Sequence, residues 1–153
     1  MTKRSILLVE DNPSDEALTL RAFRKAGFTN EVVVVRDGAE ALDYLFCTGV
    51  HADRSPEAMP SVVLMDLNLP KISGLEAVQR IRANSATRLL PIVILTSSDE
   101  DDDRLKCYQF GANSFVRKPV EFGAFASAVQ QLGLYWLILN QFPPPPAGAP
   151  PAE

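Results

Sequence analysis

Four short runs of β-branched and aliphatic residues punctuate the chain at 6–9, 32–35, 62–65 and 92–95, each the length of a single strand. None alternates apolar with polar positions, which is the pattern of parallel strands covered by helices on both faces. A weaker run at 114–117 fits a fifth strand at a sheet edge. Between the runs the apolar spacing widens to helical steps. The first such segment has Pro13 near its start, Ala17, Leu20 and Phe23 along it and Gly27 at its end, the punctuation of an amphipathic helix. A second helix is expected at 39–46, a third carries Leu75, Val78 and Ile81, and a fourth spans 102–110 before Gly111. The last places Phe122, Phe125, Ala126, Val129, Leu132 and Trp136 in one stripe.

Five alternations of strand and helix imply right-handed crossovers and an α/β fold, a doubly wound five-stranded parallel sheet. Two segments break the rhythm. The polar, proline-containing stretch 47–60 reads as a surface loop. The stretch 142–153, with prolines at 143–146, 150 and 151, cannot continue a helix and reads as an extended solvated tail, which leaves 1–141 as the folded domain.

The formal net charge of -4 lacks the basic footprint that phosphate backbones require, so nucleic-acid binding is not expected. Cys47 and Cys107 lie far apart without metal-ligand spacing, the apolar run after Met1-Thr2-Lys3-Arg4 is too short for a signal peptide, and no stretch reaches the ~20 apolar residues of a membrane span. A cytosolic protein with two reduced thiols, away from the membrane, is expected.

In a parallel sheet, ligands collect beyond the carboxyl ends of the strands, so the residues that end each strand carry the chemistry. Here the first strand runs into Glu10-Asp11, the third into Asp66 and the fourth into Thr96-Ser97, and the fifth is followed by Lys118-Pro119. Singly these have plain explanations, a helix cap for the aspartate and solvated loop charge for the acid pair. Jointly they point elsewhere. Three carboxylates in one crevice repel one another unless a cation lies between them, and Mg²⁺, which prefers hard oxygen ligands, fits. Asp66 could then attack a phosphoryl group in line, with Lys118 neutralising the transferring oxygens and Thr96 offering a hydroxyl.

From 6 to 132 the chain resembles the receiver domain of two-component response regulators. The resemblance rests on Leu8-Val9-Glu10-Asp11-Asn12, on Asp66-Leu67-Asn68-Leu69-Pro70-Lys71-Ile72-Ser73-Gly74, on Thr96-Ser97, on Gly111-Ala112 and on Phe115-Val116-Arg117-Lys118-Pro119. It implies a flavodoxin-like fold, with Asp66 as phosphoacceptor and Glu10, Asp11, Asp66 and the backbone carbonyl of Asn68 as the Mg²⁺ shell. Thr96 and Phe115 become the switch pair, and Lys118 the phosphate-binding lysine, brought over the crevice by a cis bond before Pro119. The partner implied is a sensor histidine kinase. Asp11-Asn12-Pro13-Ser14-Asp15, the long 47–60 stretch and the late Tyr135-Trp136 pair are similar to the single-domain regulators served by bacterial phytochrome kinases. Such a protein is no enzyme beyond its own phosphorylation and dephosphorylation, and with no output domain expected after the last helix it signals by protein contact.

Two other classes fit the chain less well. A haloacid-dehalogenase-type phosphatase would need a second acid two positions beyond the nucleophile, where this chain has Asn68. A receiver-shaped scaffold without phosphorylation would not need the intact acid, hydroxyl and lysine set. His51, the only histidine, sits in the irregular loop rather than on an exposed helix, so the chain is not expected to donate phosphate. The final helix has apolar residues to spare beyond its stripe: Leu134, Tyr135, Leu137, Ile138 and Leu139. A surplus of that size leads to an expected homodimer interface carried by Leu134, Tyr135 and Ile138.

Overall fold

The computed structural model describes residues 5–144. Five parallel strands, β1 (Ile6–Val9), β2 (Val32–Val35), β3 (Val62–Met65), β4 (Ile92–Thr96) and β5 (Ser114–Arg117), form one sheet in the order β2-β1-β3-β4-β5. The expected fifth strand is indeed at an edge. β1, β3 and β4 are buried throughout because each has a strand on either side and helices above and below, which is why their sequences do not alternate.

The helices are α1 (Pro13–Lys25), α2 (Gly38–Phe46), α3 (Gly74–Ala83), α4 (Asp101–Phe110) and α5 (Phe122–Leu134). On one face Ile6, Leu8, Val62, Leu64, Val93 and Leu95 pack with Phe23 of α1 and with Phe125 and Val129 of α5. On the other, Leu7, Val9, Val63, Met65, Ile92 and Ile94 pack with Leu42 and Leu45 of α2, Val78 and Ile81 of α3, and Cys107 of α4. Cys47 and Cys107 are both free thiols. The loop expected at 47–60 is folded onto α2: the Arg54 guanidinium stacks 3.6 Å over the Tyr44 ring and donates to the carbonyls of Tyr44 and Ala58. His51, the last residue of a short 3-10 helix (Gly49–His51) within this stretch, rests edge-on against Tyr44, with Nε2 3.1 Å from the Glu40 carboxylate.

The final helix differs from its expected form in two places. Phe122, expected in the buried stripe, is half exposed, with the Arg21 guanidinium 5.9 Å above its ring. Leu137, expected to be surplus, packs with Trp136 against the sheet. The cause of the second is a change of period: after Leu134 the helix widens into a π turn over Tyr135–Leu139, closed by Asn140 N donating to Tyr135 O at 2.7 Å. The wider turn lets Trp136 and Leu137 both face inward. Together the two segments make an 18-residue helix, Phe122–Leu139, that by length and composition alone could cross a membrane, although no unbroken apolar run in it is that long. In this fold Phe125, Val129 and Gly133 are buried. The tail expected at 142–153 lies outside the described residues from 145 onward.

Candidate functional site

The strand ends meet as the sequence implies. β1 ends at Val9 and delivers Glu10, which is almost fully buried, and Asp11, which is exposed. Asn12 then caps α1, its Oδ1 accepting from Ser14 N (2.9 Å) and Asp15 N (3.1 Å), and Pro13 supplies the preset first turn. β3 delivers Asp66, 8% exposed. Its position depends on a close approach: a Cβ at Gly74, the first residue of α3, would lie 2.5 Å from the Asp66 carbonyl oxygen, so only glycine lets α3 seat there. A Cβ at Gly38 would likewise come 1.9 Å from Ile72 O, and this contact braces the loop after Asp66 against the start of α2.

Oxygens of Glu10, Asp11 and Asp66 all lie within 4.8 Å of one another. Lys118 Nζ stands among the acids, donating to Glu10 Oε1 at 2.7 Å and to Asp66 Oδ2 at 2.8 Å. The lysine follows β5 and its amide extends the ladder by donating to Thr96 O at 2.6 Å. The expected cis bond before Pro119 is absent: there is no cis peptide among the described residues. The trans chain suffices because β5 ends beside the crevice and the long lysine side chain spans the remaining distance.

A third carboxylate, Asp15 in the first turn of α1, accepts from the same Nζ at 2.8 Å. Sequence reasoning assigned it no role. The available signal was its place one helical turn beyond Asp11, just after a capping asparagine.

Burial pushes the Glu10 carboxyl above the usual carboxylate range, and the negative Asp66 adds to this, while the hydrogen bond and charge of Lys118 act against it. For Lys118 the largest single influence, burial, favours the neutral amine. The hydrogen bonds to Asp15, Asp66 and Glu10 outweigh it, and the ammonium is held charged well above its usual range.

Thr96, fully buried at the end of β4, accepts from Ser98 N at 3.3 Å. Phe115 pairs in register with Ile94, so it lies on the same sheet face as Thr96, half-buried against the core on the α2, α3 and α4 side. Asn68 N donates to Asp66 Oδ1 at 3.3 Å. Hard oxygen donors grouped around one lysine fit a divalent cation of the Mg²⁺ kind, with Glu10, Asp11 and Asp66 as its holders. Leu134, Tyr135 and Ile138 are about half exposed at the far end of the last helix, away from this crevice.

Residues 6–130 match the model of the response regulator receiver domain. The chain is 40% identical over 140 residues to the probable methanogenesis regulatory protein FilR2 of Methanothrix harundinacea, covering 92% of this chain and 88% of that protein. It is 33% identical over 132 residues to the response regulator Rcp1 of Synechocystis, covering 86% and 88%. The Mn(2+)-bound structure of Rcp1 superposes with a TM-score of 0.84 at 30% identity, over 92% of this chain and 99% of that one. The bacteriophytochrome response regulator AtBRR is 52% identical, with a TM-score of 0.73 over 92% of this chain and all of that one.

Proposed function

This chain belongs to the response-regulator receiver family, and on that premise we propose that it accepts a phosphoryl group on Asp66 from a sensor histidine kinase and signals through protein contacts. The observation that carries the reading is the meeting of Glu10, Asp11, Asp66 and Lys118 at the carboxyl ends of β1, β3 and β5. Mg²⁺ is the cation proposed, held by Glu10, Asp11, Asp66 and the Asn68 backbone carbonyl, and when bound it neutralises the acids and the oxygens of the transferring group. Asp66 attacks phosphorus in line, the P–N bond to the donor histidine breaking as the O–P bond forms. Lys118 offsets the charge added to the phosphoryl oxygens. Thr96 turns its hydroxyl toward one of those oxygens, and Phe115, on the same face of the sheet, follows into the space vacated.

The protein is thus a phosphoacceptor that hydrolyses its own acyl phosphate, not an enzyme acting on a separate substrate, and works in the cytosol. Its likeness to AtBRR and Rcp1 supports a kinase of the bacteriophytochrome type. The test is transfer from a phosphorylated histidine kinase in the presence and absence of Mg²⁺. Stable labelling only with Mg²⁺ is expected, and failure of a panel of such kinases and of small phosphodonors to label the protein would remove the assignment.

The same reading includes a homodimer seated on the end of the last helix. Leu134, Tyr135, Ile138 and Leu139 are 47%, 49%, 58% and 58% exposed, a contiguous apolar patch of the kind that monomers rarely leave in water. Sedimentation at micromolar concentration should show a dimer, and Leu134→Glu with Ile138→Glu should shift it to monomer. A dimer indifferent to those charges would place the interface elsewhere.

A further inference from the structure

Lys118 has three N–H donors and spends each on a carboxylate: Glu10, Asp66 and Asp15. Two of these partners belong to the group that would hold the cation, and the third does not. Both oxygens of Glu10 and both of Asp66 are already engaged. Glu10 Oε1 and Asp66 Oδ2 accept from Lys118, Glu10 Oε2 accepts from Asn12 N at 3.2 Å, and Asp66 Oδ1 accepts from Asn68 N. A divalent ion held by these acids therefore shares oxygens with the lysine and repels its ammonium, since like charges at such range oppose each other strongly in a poorly solvated crevice. Without a further partner, a lysine this deeply buried would have no other carboxylate to turn to.

We propose that Asp15 is a positioning residue that holds Lys118 on the α1 side of the crevice, so that the lysine stays in reach of Asp66 while the metal takes its place among Glu10, Asp11 and Asp66. The inference rests on the metal and phosphoacceptor reading given above. Asp15 is well built for the task. Its amide is fixed by Asn12 Oδ1 and its carbonyl accepts from Thr19 Oγ1 at 2.8 Å, so the turn that carries it is rigid. Its carboxylate is about a quarter exposed, more open than Glu10 or Asp66, so its contact with Lys118 costs less desolvation than theirs. Asp15 is thus the partner that Lys118 keeps when the other two carboxylates are shared with an ion.

A double-mutant cycle tests this, with Mg²⁺ affinity read from the amide shifts of Asp11, Asp66 and Asn68 in isotope-labelled protein. With Lys118 present, Asp15→Asn should weaken Mg²⁺ binding by about tenfold, because the lysine falls back onto the metal's oxygens. With Lys118→Met, which removes the competing cation, the same Asp15 change should cost no more than about twofold, the loss of one nearby negative charge. Lys118→Gln serves the same purpose if the Met variant does not fold. Equal losses in the two backgrounds would show that Asp15 acts by its charge alone and would overturn the proposal, as would no loss with Lys118 present. If the native protein shows no saturable Mg²⁺ response, the metal reading falls and this inference falls with it.

Discussion

Asp66→Asn is expected to reduce phosphoryl incorporation to background. The substitution keeps the shape of the side chain at the end of β3 and its place against Gly74, so the fold should survive. It removes the nucleophile: an amide oxygen is a poor attacker, and the amide nitrogen has no lone pair to offer. It also removes one of the carboxylates that would bind the cation, so loss of chemistry and loss of metal affinity act together. The measurement is label transferred from a phosphorylated histidine kinase, with circular dichroism to confirm the fold. Labelling of the variant at a rate near that of the native protein would mean that another side chain accepts the group.

Lys118→Ala is expected to be the most destabilising single change at the site, and conditionally so. The lysine is 8% exposed and is the partner of Glu10, Asp15 and Asp66; removing it leaves buried carboxylates facing each other. Breaking a buried pair in this way typically costs about 3–5 kcal/mol. Two signs distinguish this cause from simple loss of packing. Adding Mg²⁺ should restore most of the stability, because the ion replaces the missing cation.

Acidification should also reduce the deficit. Glu10 has a folded-state pKa already raised above 4.5 by burial, and loss of the lysine takes away the interactions that oppose the rise. A group with a raised folded pKa stabilises the fold fully below its unfolded value and loses that contribution as pH climbs through the folded one. The variant should therefore approach the native protein as pH falls from neutrality toward 4.5. Urea unfolding in EDTA and in Mg²⁺ across that range checks this. A deficit below about 1 kcal/mol at neutral pH, the scale of an exposed ion pair, would contradict it, and so would one that grows on acidification.

Most of the fold and the outline of the site could be read from the chain because the relevant information is local. Runs of apolar residues without alternation mark strands buried on both faces, and a parallel sheet necessarily brings all its carboxyl ends to one edge. Glu10, Asp11, Asp66, Thr96 and Lys118 were therefore assignable to one crevice without knowledge of any contact between them. The strand bounds agree to within the one residue, Thr96, that extends β4. What the tertiary structure decided is how distant parts meet. Asp15 and Lys118 are separated by 103 positions, and their contact exists because α1 and α5 pack side by side on one face of the sheet and bring the start of α1 to the end of β5. The bond before Pro119 is trans in the folded chain, and no sequence pattern encodes that choice. Phe122, at the start of the last helix, lies outward beside Arg21, whereas Leu137 turned inward because the helix changes to a π turn after Leu134, a choice of period made by the packing around Trp136 and not by the spacing of apolar residues.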